Sequence, residues 1–251
     1  MFPESINAIQ PSQAVRPPGP IGRLLVALSL ATGLGFVAPL AHAVPVYFDA
    51  FIDTVDQRWS GHASEGLLVG TPRRVKVFGP HTTNPLSLNL EGLPDHRLLV
   101  VSFDLHIVGP WHGSQNGLPP TSLSVQLGTE DPAWSVSLAV EQDGSVRNQS
   151  YPDSIGAGKH PAGTGAYAVG RLGYIDPKTM APIDATYRVS IPIKHSEKAT
   201  SVSFRADNLP DGAWWAIGTV IIEVFQLPDD PNPAASIGWV IDGPGAQFGG
   251  Y

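Results

Sequence analysis

The feature that most constrains this chain is an alternation of period two that returns in segment after segment. Leu99, Val101, Phe103, Leu105 and Ile107 alternate with Val100, Ser102, Asp104 and His106. The same beat recurs at Leu123, Val125 and Leu127, and again at Trp134, Val136, Leu138 and Val140. It returns at Tyr187, Val189, Ile191 and Ile193, and at Val202 and Phe204, with mostly small or polar residues between. Successive side chains of a strand point to opposite faces, so each segment has one apolar and one polar face. Antiparallel sheets packed on one side have this pattern. Beyond residue 43 no window carries a stripe of period 3.6. The expected fold is all-β: an antiparallel two-sheet β-sandwich, jelly-roll-like.

Two segments depart from the simple pattern. Residues 214–225 are apolar on both faces, which suits a central strand covered on both sides. Pro192 interrupts residues 186–194, and a residue without an N–H is tolerated at sheet edges or bulges, so that strand is expected near an edge. The basic spot Arg73-Arg74-Val75-Lys76 reads as the wet face of another strand. Turn chemistry punctuates the runs, as at Gly109-Pro110, Asp143-Gly144 and Leu209-Pro210-Asp211-Gly212. Residues 148–173, rich in Gly, Pro, Ser and Ala, form the longest loop-like region, a type that is often a binding element or mobile.

The first 43 residues read as a secretory leader. A basic stretch ends at Arg23, residues 24–40 are apolar apart from small Ser, Thr and Gly, and Ala41-His42-Ala43 has the small-x-small form of a cleavage site. As a membrane anchor that run is at the short limit of the roughly 17–25 residues that span a bilayer, and Thr32, Gly33, Gly35 and Pro39 weaken it. The expected organisation is a signal peptide helix over 1–43, a sandwich domain over 44–227 and a Pro/Gly-rich tail over 228–251. The mature chain then has no membrane span and is released outside the cytoplasm, extracellular or periplasmic. A domain of that size buries on the order of 70% of its unfolded surface, so its core needs no staple. That suits a chain with no cysteine, in which disulfides, thiolate metal sites and Cys nucleophiles are excluded. The net charge of −7, without Lys/Arg clusters, argues against nucleic acid as a partner.

Signatures of catalysis are missing. There is no Gly-x-Ser-x-Gly, no His-Glu-x-x-His and no phosphate-cradling Gly-rich loop. No acidic residues recur at i, i+2, i+4 to supply the paired carboxyls of a glycosidase. A non-enzyme is expected, with a hydrolase of dispersed site as a further alternative. His62, His81, His96, His106, His112, His160 and His195 are scattered without zinc spacing and are expected to be exposed. A calcium site of loop oxygens stays open; no other cofactor is expected. For recognition, Asp104 and His106 run into Trp111, His112, Gln115 and Asn116. An aromatic in a Gly-rich loop beside amides and a carboxylate has the parts of a sugar site. Trp214 is a further candidate contact. The alternative is that Trp111 caps the core and the glycines merely turn the chain.

Leu88-x-Leu90-x-Gly92-Leu93-Pro94-x-His96, Val101-Ser102-Phe103-Asp104-Leu105, Trp111-His112-Gly113, Gln149-Ser150-Tyr151-Pro152, Leu172-Gly173-Tyr174, Asp184-Ala185-x-Tyr187-Arg188 and Trp215-Ala216-Ile217 occur in this order. As an ordered set, spanning roughly residues 45–225, they resemble a group of secreted bacterial β-sandwich modules of uncharacterised activity, similar in style to lectin-like and carbohydrate-binding jelly rolls. The resemblance implies a sandwich fold and glycans or other surface proteins as partners. Its usual Trp-Asp-Gly, a following Asp, and Trp-x-x-Asp-Asn-Val here read Trp111-His112-Gly113, Pro119-Pro120-Thr121 and Trp215-Ala216-Ile217-Gly218-Thr219-Val220. The acidic residues that would hold calcium or ligand are thus replaced. Two functions follow as expectations: a secreted non-catalytic module, glycan-binding through the Trp111 loop, or a structural or protein-interaction component of the cell exterior.

Overall fold

The computed structural model describes residues 42–61, 68–115, 117–141 and 146–226. The leader expected over 1–43, apart from His42 and Ala43, the tail over 228–251, His62 and Asn116 lie outside the described residues. The strands in chain order are β1 His42–Asp49, β2 Trp59–Ser60, β3 Leu68–Gly70, β4 Lys76–His81, β5 Leu86–Leu90, β6 Leu98–Val108 and β7 Ser122–Leu127. They continue with β8 Trp134–Ser137, β9 Asn148–Gln149, β10 His160–Pro161, β11 Ala168–Val169, β12 Asp184–Lys194, β13 Thr200–Asp207 and β14 Trp214–Gln226.

These form a β-sandwich, all-β as the alternation requires. The larger sheet runs β11-β12-β6-β14-β4-β3 with β1 also joined to β14, and the smaller runs β2-β5-β13-β7-β8. Every ladder between these strands is antiparallel. From β5 to β7, and from β12 to β14, the chain crosses between sheets at each step, the weave of a jelly roll. The core is the layer between. Leu99, Val101, Phe103, Leu105 and Ile107 of β6 meet Val202 and Phe204 of β13 and Leu123 and Val125 of β7, all at most 4% exposed. Each such side chain contributes about 1.5–3 kcal/mol on burial, which is why the phase of the alternation decides which face turns inward.

Strand β14 is central, as its two apolar faces predicted. One edge pairs with β6 along its length, and the other is divided between β4 near Trp215 and β1 beyond Val220. Pro192 sits where the edge logic put it: β11 reaches only Thr186 and Ala185 of β12, whose other side pairs with β6 throughout.

Two expectations are corrected. Arg73 and Arg74 belong to a turn, not a strand. The Thr71 N–H donates to the Val75 carbonyl at 3.1 Å, and the Val75 N–H donates to Thr71 Oγ1 at 3.0 Å, so the hydroxyl ties the turn before β4 begins at Lys76. The strand expected through Val140 stops at Ser137, because Ser137 and Ser150 each give their N–H to the other's Oγ, at 2.8 and 2.7 Å. The loop-like residues 148–173 are tied to the sandwich through one side chain. Buried Gln149 Oε1 accepts from the N–H groups of Ala139 and Gly163 and from the Tyr187 hydroxyl, while its Nε2 donates to the carbonyls of Tyr151 and Thr164.

The outer face of the larger sheet is apolar toward its ends. Ala216, Val108 and Val77 cluster with Leu172 at one, Leu98, Val100 and Phe225 at the other. Asp184, buried at the start of β12, accepts from the N–H groups of Leu172, Gly173 and Tyr174 at 2.9, 3.1 and 3.0 Å. That grip folds the segment carrying Arg171 over the outer face. Between the two apolar ends lies a polar strip.

Candidate functional site

Within that strip β6 contributes Ser102, Asp104 and His106, the polar positions of its alternation. β12 sets Arg188 directly opposite Asp104 in register, with Ser190 opposite Ser102. On the other side the register of β14 slips: Ile217 faces Leu105, but the next pair is Val220 with Phe103, so Gly218 and Thr219 together oppose Asp104. This is a bulge, a device that bends a strand and re-aims its side chains. A Cβ on Gly218 would stand 2.8 Å from His106 Nε2 and 3.0 Å from Asp104 Cβ, so glycine is what permits the close approach. Beside the bulge lies a groove of about 240 Å³ whose lining includes Ser102, Asp104, Arg188, Thr219 and Ile221.

The charges in the strip are incompletely matched. The Asp104 side chain is 17% exposed, and its Oδ1 lies 3.4 Å from Arg188 Nε, long for a charge-assisted hydrogen bond. Burial pushes the Asp104 carboxyl up, against the opposing pull of Arg188 and Arg171. The Arg188 guanidinium lies 3.8 Å over the ring centroid of exposed Tyr167, and that of Arg171 lies 5.6 Å from the same ring. Arg171 Nη1 is buried without a hydrogen-bond partner among the described residues. Buried His106 keeps Nδ1 2.9 Å from Thr186 Oγ1. Burial, and secondarily Arg171, pushes its pKa down to about 4, so the ring is neutral near pH 7.

The groove therefore offers a planar cation, a half-buried carboxylate and two hydroxyl side chains around an apolar floor. It could accept and donate hydrogen bonds to a polar ligand. Its lining contains one carboxyl group, whereas acid/base cleavage of a glycoside uses two. Among the described residues no three His, Asp or Glu side chains are grouped to hold a metal.

The sequence-derived candidates separate in space. Asp104, His106 and Trp214 share the outer face of the larger sheet, although Trp214 packs edge-on against Tyr174 at 5.4 Å toward one end. Trp111 is fully buried, its indole N–H donating to the Trp214 carbonyl at 3.1 Å. Its own carbonyl accepts from Val140 and from Arg147. The sugar platform expected of Trp111 is thus corrected: the ring presents no face to solvent and caps the core. His112 is half-buried, its Nδ1 3.2 Å from the Gly113 carbonyl oxygen, and Gln115 is exposed on the turn. Asn116 lies outside the described residues. The histidines expected to be exposed include three that are buried, His81, His96 and His106; His96 Nε2 lies 2.8 Å from His195 Nδ1. Sequence reasoning missed Arg188, Arg171, Tyr167 and Thr219. The polar phase of β12 at Arg188 and Ser190 was the available signal for one of them.

No family model matches the chain, and no curated protein matches it. Among solved structures, a family GH115 4-O-methyl-alpha-glucuronidase, BtGH115A, described as specific for decorated arabinogalactans, aligns over 68% of this chain and 18% of its own length at 10% identity and TM-score 0.32. The CBM2 module of the evolved Dit of Lactobacillus casei BL23 phage J-1 aligns over 75% of this chain and 98% of its own at 8% identity and TM-score 0.39. The chain thus spans under a fifth of the first of these proteins.

Proposed function

We propose that this protein is a non-catalytic recognition module of the cell exterior that binds a hydroxyl-rich ligand, a glycan, in the groove at Asp104. One observation carries the reading: a carboxylate withdrawn from water, with a single long ion pair to Arg188, opens beside hydroxyls at a bulge. A polar group held partly dry without full satisfaction calls for a partner, and sugar hydroxyls both donate to a carboxylate and accept from a guanidinium. The leader expected over residues 1–43 supports export, and the single carboxyl of the groove supports binding over cleavage. Among the described residues no helix is long and apolar enough to cross a membrane.

A glycan array probed with wild type, Asp104→Asn and Thr219→Val tests it. The expected result is binding to a subset of glycans that both substitutions weaken while the melting temperature holds. No binding, or binding indifferent to both, overturns the reading. A second reading, a structural component of the cell exterior without a small-ligand site, is favoured by the full burial of Trp59, Trp111 and Trp215, and it is what an empty array would leave standing.

A further inference from the structure

We infer that the ligand of this groove carries an acidic group, and that Arg188 is the residue that holds its oxyanion; this rests on the groove being the glycan site. Three features of Arg188 point there. Its Cζ lies over the Tyr167 ring, 3.8 Å from the centroid, its Nε is 3.4 Å from Asp104 Oδ1, and its side chain remains 43% exposed. With Nε and one face so placed, the two Nη groups, the fork that pairs bidentately with a carboxylate or a sulfate, have no hydrogen bond to a described residue. A guanidinium already fixed on two sides loses little freedom on binding.

The local charge points the same way. The chain as a whole has 22 acidic against 15 basic residues, yet the groove itself is lined by one cation, Arg188, against one acid, Asp104, with the Arg171 guanidinium also close enough to act on Asp104. Local charge is balanced in an otherwise anionic protein, which leaves the Arg188 fork without an excess of acids around it. That fork is only half-exposed, where ion pairing is screened less than at the open surface. The volume, about 240 Å³, lies below the roughly 300–1,000 Å³ of drug-sized sites, which suits one ring of a chain instead of a whole oligosaccharide. An acidic sugar, its oxyanion a carboxylate or a sulfate ester, supplies both parts: hydroxyls for Asp104, Ser102 and Thr219, and an anion for Arg188.

Calorimetric titration of the purified protein with four polymers separates the possibilities: polygalacturonate, its methyl ester, dextran sulfate and dextran. The expected result is binding of an acidic polymer that its neutral counterpart lacks, weakened by salt and about tenfold weaker in Arg188→Lys, which keeps the charge but loses the planar fork. Preference for polygalacturonate identifies a carboxylate, and preference for dextran sulfate a sulfate ester. Tyr167→Ala, which removes the platform, weakens the same binding without lowering the melting temperature. Equal binding of acidic and neutral polymers, or an Arg188→Lys protein that binds as wild type does, overturns the acidic assignment. If that binding still depends on Asp104, the groove remains a glycan site. No binding to any polymer, together with an empty array, overturns both.

Discussion

The turn at Trp111 and the groove at Asp104 lie within a few residues of each other in the chain and behave in opposite ways. At Trp111 the large ring is wholly buried, and its polar atoms are taken up by Trp214, Val140 and Arg147. At Asp104 a carboxylate keeps one long ion pair, and two arginines crowd an exposed tyrosine. Satisfied polar groups around an apolar body make a structural anchor; partly dry, partly matched ones make a place for something else to bind. The difference shows that an aromatic in a glycine-rich turn is weak evidence for a ligand. The unfinished hydrogen bonding of a neighbour counts for more.

That contrast can be broken most forcefully at Trp111. Replacing it with alanine removes a core ring and the hydrogen bond its indole gives to the Trp214 carbonyl, so Trp111→Ala should cost about 3–5 kcal/mol in denaturant unfolding. A loss under about 1 kcal/mol would mean that the ring is not the anchor described here.

The next effect in size is acid sensitivity from His106. Its folded pKa of about 4 lies below the unfolded value near 6.5. Between those values the unfolded chain binds the extra proton, so stability rises with pH across the window and falls on acidification. This one ring should cost roughly 3 kcal/mol between pH 6.5 and 4, with little further loss below. Melting curves across that range should flatten in His106→Gln relative to wild type; parallel curves would remove His106 as the cause.

The smallest expected effect sharpens the other side of the comparison. Asp104→Asn should change stability by less than about 1 kcal/mol, tending toward a gain, since it removes a charge that burial disfavours. A loss as large as that of Trp111→Ala would place Asp104 among the structural residues and dissolve the distinction.

Most of the sandwich was legible from side-chain alternation alone. Burial on one face forces period two, so β6, β7, β12, β13 and the doubly covered β14 could be read from residues such as Phe103, Val125 and Phe204. The site was half legible. Asp104 and His106 stood out as polar residues in an apolar strand, but their partners depend on register. That Arg188 faces Asp104 is settled by pairing between distant segments, which no local pattern encodes. Tyr167 and Arg171 were hidden further still, because Tyr167 is placed by its N–H bond to the Thr186 carbonyl beside the short β11–β12 pairing, and Arg171 by the grip of Asp184 on residues 172–174. Gly218 read as the loss of an acidic ligand. In the fold its missing side chain lets β14 come close to Asp104 and His106.

The divided edge of β14 has a consequence for how the protein is made. Strand β1, near the start of the described chain, pairs with β14, whose last residue is Gln226, so the larger sheet cannot be completed until the chain has been synthesised through Gln226. Contacts so far apart in sequence form slowly. A chain whose first and last described strands must meet stays open along this edge until both have been made.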